Sequence, residues 1–528
     1  LSNELSVTES IAIPTHRSFS RAVITSLLGN TAVQALFALS SIVVSRMLLP
    51  EGRGELATLI TYSELLSYVT IFGIQQATSH AIARRPDAAG RITKEACILT
   101  FVLSGLASLL GAAFGPYFLP ADKQFLAPLM RVFMVYVLLY NLNWVLNAAS
   151  QGGFRFGWYN VCRVLVPASY LLGVCGAWFF NVADVQTVSW CRLVSLFLVI
   201  MVQLYGLRFV LRDRWPRFEE YWRLLRHGLK LHPPHVADSI QVCLDPLLVV
   251  FLLPTEAMGL YAAAINVARV QLGMGMAYTD ALFVKVSEQT DHAAGVRVLL
   301  SLIRKAQFYL ILTAAGVMLA TPLVIDILFG RAFAPAIPAA LVLEMATCIA
   351  ALAMVIDQGM RSLGHASICT LGYLVGISVV ALGGCLWVMS GGIVVMAEIK
   401  LLAAILVLFV QVSCLSYLEK IPLRQFWGLR PELIAEGWAM FKARVGLAGS
   451  KKAATSVVNN RDDWPSHDNE SNGTMPVTVR APRTSKTCEA WDANAHSRAR
   501  QDQERAVQIK DADERGTISE DPGDHSSD

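Results

Sequence analysis

Charge is scarce in this chain. Asp, Glu, Lys and Arg make up 16% of its 528 residues, where an ordinary soluble domain carries about 25%. Apolar residues reach 54%, more than a soluble core of this length buries, so fibrous proteins and cytosolic enzymes are excluded. Cysteine pairing is missing too. The ten Cys residues contain no C-x-x-C, and Cys162, Cys175, Cys191, Cys243, Cys348, Cys369, Cys385 and Cys414 lie in apolar stretches, where a thiol packs as a small hydrophobe. A disulfide scaffold and a zinc or redox centre are therefore not expected. No P-loop or Walker motif occurs, so ATP is not a direct energy source and no cofactor is implied. A net charge of +4 does not suit a nucleic-acid partner. Leu1–His16 lacks the apolar core of a cleavable signal, so the first apolar run is expected to direct insertion.

The little charge present is unevenly spread. Residues 1–422 hold 52 charged groups, about 12%, and residues 423–528 hold 32, about 30%. That break marks the end of a membrane-embedded body. Beyond Gly449 the chain is rich in Ser, Asp, Asn, Arg and Thr, the composition of a disordered tail.

Apolar windows of about 20 residues, the length that crosses a bilayer core as helix, fall near 22–49, 56–83, 96–119, 125–149, 157–180 and 185–207. Six more fall near 230–253, 257–284, 304–328, 336–360, 367–389 and 392–417. The expected fold is all-α and polytopic, with twelve transmembrane helices and no barrel strands. With twelve crossings, 21 Lys/Arg, among them Arg17, Arg84, Arg85, Arg212, Arg304, Lys305 and Arg361, share one face. Arg46, Arg53, Lys123, Arg131 and Arg331 occupy the other, and Arg192, Arg269 and Lys400 remain inside the membrane. This bias places both termini in the cytoplasm.

The organisation that follows is a cytoplasmic segment 1–17, a first lobe 18–208, a linker 209–228, a second lobe 229–422, an interfacial segment 423–448 and a tail 449–528. In the linker, basic residues alternate with Trp215, Phe218, Tyr221 and Trp222, as in a helix lying in the interface. It reads equally as a hinge or a juxtamembrane anchor.

An internal repeat relates the lobes. LLP-EGRG-ELAT at Leu48–Thr58 matches LLP-TEAMG-LYAA at Leu252–Ala263, with Pro50 and Pro254 204 residues apart. Ser150–Val161 matches Ser362–Tyr373 at an offset of 212. Six spans being an even number, the two repeats have the same orientation and are related by an axis along the membrane normal.

The "LLP…G-LYAAA" turn and the segment TPLVIDILFGRAFAPAIPAALVL at Thr321–Leu343 resemble polysaccharide repeat-unit flippases over about residues 18–420. That family belongs to a superfamily with lipid II flippases and multidrug and toxin extrusion transporters. The resemblance implies a V-shaped pair of lobes with spans one, two, seven and eight lining the cleft. It also implies a bacterial inner-membrane protein that moves undecaprenyl-diphosphate-linked oligosaccharide by alternating access. Such a role serves lipopolysaccharide or exopolysaccharide synthesis. Its partners would be the bilayer, the lipid-linked sugar, and polymerase and chain-length proteins of the same pathway.

Charged and strongly polar groups inside a span cost about 2.5–3.5 kcal/mol each and mark function. Span seven carries His232, His235, Asp238 and Asp245 on one broad side, candidates for H⁺ or Na⁺ coupling. Span eight carries Asn266, Arg269, Gly273 and Asp280; span one Asn30, Gln34, Ser41 and Ser45; span two Thr61, Glu64 and Tyr68. Substrate contacts are expected from Arg269, Glu64, Asn266, Asn30 and Gln34, with Glu64 opposite Arg269 at an offset of 205. The bland alternatives are interfacial histidines, helix–helix glue in span one, an ion pair of Arg269 with a span-seven carboxylate, and Arg192 and Lys400 either facing a lateral groove or snorkelling. Two rival functions are a multidrug antiporter, which needs an acidic cavity, and a membrane-bound polysaccharide polymerase, which needs a large catalytic outer loop.

Overall fold

The computed structural model describes residues 16–153, 155–208, 218–287, 292–363 and 365–426, all within one compact unit, Leu1–Val445. Most of the linker's basic-aromatic run, the interfacial segment from Trp427 onward, and the tail lie outside those residues. Among the described residues there is helix and no strand. The first half comprises α1 (His16–Thr70), α2 (Ile74–Arg84), α3 (Ala89–Phe114), α4 (Ala127–Phe133), α5 (Val135–Gly152), α6 (Phe156–Phe179) and α7 (Val185–Gly206). The second comprises α8 (Phe218–Leu252), α9 (Thr255–Ser287), α10 (His292–Val324), α11 (Ile337–Ser362) and α12 (Ala366–Glu419). The last eleven residues of the expected linker, Phe218–Gly228, are continuous with α8.

Among the described residues, seven helices are long and apolar enough to cross a membrane, or eight when Ala121–Phe133 and Val135–Gly152, bent by 44°, count as one. Their outer faces bear Leu109, Leu319, Leu386 and Phe409 at exposures of 63–84%, the surface of a multi-pass protein solvated by lipid. Two of the long helices reverse. Glu419, the last residue of α12, receives His365 at its first turn at 3.0 Å; 54 residues of straight helix would separate them by about 81 Å. The turn is at Gly392, whose φ of 65° suits a residue without Cβ. α1 breaks at Leu49, before Pro50, where the ring excludes helical conformation for the preceding residue. Across that break Arg53 donates to Ser41 Oγ at 3.4 Å.

The helices repeat as the sequence does. Six-residue 3₁₀ turns, Ala121–Leu126 and Arg331–Ala336, stand 210 residues apart, and each leads into a helix with Pro in its first turn. The two halves meet at the end bearing Pro50 and Pro254. A Cβ on Gly54 would overlap the Thr255 carbonyl oxygen, and one on Gly259 would overlap that of Pro50. These reciprocal clashes show why glycine is required, and they are what a two-fold relation predicts. Lys123, 1% exposed, crosses from the first half to the carbonyls of Val250 and Leu253 at 2.6 and 2.8 Å, capping the C-terminus of α8. Arg46 likewise donates to the carbonyls of Ile327 and Leu328 beyond α10. At the opposite end of α8, Gly228 packs on Gly73, and the His232 ring nitrogen meets Val69 O at 3.1 Å.

Candidate functional site

Helix α1 of the first half packs against α9 and α8 of the second, and polar groups of the described residues lie on both sides of that contact.

On the first half, Arg192 of α7 sits among aromatic rings, with Tyr170, Phe37 and Tyr136 centroids at 5.0, 5.5 and 5.8 Å from its guanidinium carbon. This is a cation held by ring quadrupoles rather than a snorkelling side chain. Glu64 accepts from Tyr136 Oη at 3.4 Å and is an electrostatic neighbour of Arg192. Behind them rings of α4 and α5 pack in series, Phe133 on Tyr136 at 5.4 Å, Tyr136 on Tyr140 at 5.1 Å and Tyr140 against Trp144 at 5.1 Å.

On the second half, Asp245 of α8 is fully buried, and its Oδ2 accepts from Tyr261 Oη at 2.7 Å and Lys400 Nζ at 2.5 Å. Lys400 therefore faces inward to an ion pair. Of the pairings open from the sequence for Asp245, the partner is this lysine of α12 and not Arg269. Arg269 is exposed and, among the described residues, makes no hydrogen bond or ion pair; none joins it to Glu64. The buried Cys243 has Glu64, Asp245, Lys400 and Arg269 as electrostatic neighbours, so charges from both halves converge around one point on α8.

Arg53 is the residue that sequence reading misplaces. Counted with the charges of the outer face, it is only 9% exposed, its Nε has no partner, and its electrostatic neighbours include Arg192 and Arg269. The available signal was periodicity: Arg53, Ala57, Ile60 and Glu64 follow the spacing of one helix face. Its position in the turn motif suggested a surface instead.

The remaining candidates divide. Gln34 faces α9, its Cγ 3.7 Å from where a Cβ on Gly273 would lie. Asn30 turns to its own half and accepts from Arg163 at 2.7 Å. Asn266 bonds back to Ala262 O at 2.7 Å within α9. His232, in the N-terminal half of α8, lies against Phe72, ring centroids 5.6 Å apart. The side chains of His235, Asp238 and Asp280 lie outside the described residues. No group of three or more His, Cys, Asp or Glu able to hold a metal occurs among the described residues.

Comparison with known proteins places this arrangement. Residues 19–283 match the model of a family described as "Polysaccharide biosynthesis protein". Among curated proteins nothing matches. Solved structures do. An inward-facing multidrug resistance MATE family transporter of the MOP superfamily superposes with a TM-score of 0.61 at 17% identity, over 75% of this chain and 99% of that one. An outward-facing structure of such a transporter gives 0.56 at 15% identity, over 78% and 97%. A MOP superfamily transporter from Pyrococcus furiosus, described as having a binding pocket of reverse polarity, gives 0.53 at 17% identity, over 76% and 96%. At these identities the likeness is one of fold.

Proposed function

The chain belongs to the polysaccharide biosynthesis protein family, and from that premise we propose that it is a flippase. Its substrate would be an oligosaccharide carried on undecaprenyl diphosphate, moved from the cytoplasmic to the outer leaflet of a bacterial inner membrane. In this reading α1 and α12 each cross twice at their breaks, α8 and α9 complete twelve crossings, and both termini are cytoplasmic. The lobes alternate about contacts such as Gly54–Gly259.

The observation that carries the proposal is the convergence of Arg53, Arg192 and Arg269 from both halves. Three guanidinium groups within electrostatic reach, with Glu64 near Arg192, favour binding of an anion. In a medium of low dielectric their mutual repulsion is weakly screened, and a diphosphate offers oxygens that a guanidinium fork binds in pairs. An antiporter of cationic drugs would want the opposite sign. Asp245, the carboxylate best placed for that role, is already neutralised by Lys400. Glu64 serves as the counterion that the diphosphate displaces, and in the state where the lobes approach at this depth it turns to Arg269. Asp238 and the histidines of α8 remain the groups proposed to couple transport to H⁺ or Na⁺.

The test is transport of a fluorescent polyprenyl-diphosphate oligosaccharide in proteoliposomes. Arg269→Lys should keep part of the activity. Arg269→Ala and Arg53→Gln should lose at least tenfold while inserting normally, because the charge and the fork are both gone. Full transport by Arg269→Ala and Arg53→Gln, or transport of cationic dyes in place of the lipid, would reject the reading.

A further inference from the structure

The two halves are built on one plan but filled differently. At an offset of 210 residues, Tyr136, Tyr140 and Trp144 of α5 correspond to Ala346, Ala350 and Met354 of α11, and Tyr170 of α6 corresponds to Val380 of α12. Phe37 corresponds to Gln241 at the repeat's offset of 204, and Arg192 to Lys400 at 208. Five aromatic side chains that fill the interior of the first half are thus replaced by smaller or unringed ones in the second. Volume is lost, and the structure shows where. A cavity of about 160 Å³ lies inside the second half, lined by Ala346, Ala350, Met354 and Val380 together with Lys400 and Arg269. The lining is mostly apolar, yet it carries two cations. One of them, Lys400, is matched by Asp245; the other, Arg269, has no anion among the described residues.

We propose that this cavity binds the phosphate-proximal isoprene units of a prenyl diphosphate, with the diphosphate on Arg269. The inference rests on the flippase reading and adds where the lipid's first carbons go. Volume sets the size of the guest, since an engineered apolar cavity of roughly 150 Å³ holds one benzene molecule. The space here takes one or two five-carbon units. Connectivity sets its chemistry. Arg269 belongs to the cavity lining, so the anion and the apolar group must be directly joined. A prenyl diphosphate has its phosphate one oxygen from the chain. In a glycerophospholipid, glycerol and two ester groups intervene, and in a space of about 160 Å³ they would leave no room beside Arg269 for the first chain carbons. The first half cannot do the same: its aromatic stack occupies the equivalent place, and Glu64 stands where Arg269 stands.

The experiment uses full-length protein in phosphatidylcholine nanodiscs, titrated with farnesyl diphosphate and, separately, inorganic diphosphate. Unaltered protein should bind farnesyl diphosphate at least tenfold more tightly than inorganic diphosphate. Ala346→Tyr, which restores the first-half residue, and the smaller Ala350→Leu should each abolish that advantage. Both should leave affinity for inorganic diphosphate and the melting temperature unchanged, the second variant guarding against misfolding of the first. If both filled variants keep the advantage, or unaltered protein has none, the cavity is not the chain site. Equal competition by a lysophosphatidic acid would overturn the choice of an isoprenoid. Arg269→Gln with unchanged affinity for inorganic diphosphate would overturn the placement of the diphosphate, whereas failure of the flippase reading looks different: the prenyl preference would persist while proteoliposomes moved no polyprenyl-diphosphate oligosaccharide.

Discussion

Among single residues, the buried charges decide the most. Asp245 is fully enclosed and accepts two bonds on one oxygen, while its Oδ1 has no partner. An ion in that setting depends on its counterion, and removing one partner of a buried pair costs about 3–5 kcal/mol, whereas replacing both costs much less. Lys400→Met should therefore lower stability by about that amount. The double variant Asp245→Leu with Lys400→Met should recover most of the loss in thermal unfolding of the purified protein. A double variant no more stable than Lys400→Met alone would mean the pair is not a coupled unit. That Asp245 lies inside a span was legible from the apolar run around it. Its partner was not, because Lys400 is 155 residues away and no local pattern links span seven to span twelve.

At the scale of elements, apolar run length located the helices well, and backbone chemistry decided how they are joined. The windows 367–389 and 392–417 read as separate spans, and the structure joins them through Gly392 without a loop. Pro50 marks the corresponding reversal in α1. Between elements, the contact of α1 with α9 depends on having no side chain at Gly54 and Gly259, which lets two backbones approach within reach of each other's carbonyls. Gly54→Val should force the helices apart, lowering the melting temperature by several degrees and abolishing transport. Gly105→Val is the control, because a Cβ there meets nothing within 4 Å. Equal melting of the two variants would show that the α1–α9 contact does not hold the halves together.

For the molecule as a whole, the proposed orientation rests on the distribution of basic residues, 21 on one face against 5 on the other. Arg53 and Lys123 are both buried, so three of the five on the second face are exposed: Arg46, Arg131 and Arg331. Reporter fusions should find the segments near residues 122 and 332 outside the cytoplasm, and those near residues 87, 210 and 290 inside, as the positive-inside rule requires. Cytoplasmic activity at 122 would reverse the orientation and with it the proposed direction of transport. The sequence by itself indicated a multi-pass, all-helical membrane protein, the place of most of its helices and the repeat. Each of these is a property of residues close together in the chain, where hydropathy and periodicity act. Only the tertiary structure decided which charges meet: Lys400 with Asp245, Glu64 beside Arg192, and Arg53 inside rather than at the surface. It alone decided, too, that one half is filled by aromatic rings and the other hollow. Those outcomes depend on how side chains from helices more than a hundred residues apart share one interior, and volume and charge there are balanced by packing, which no local pattern encodes.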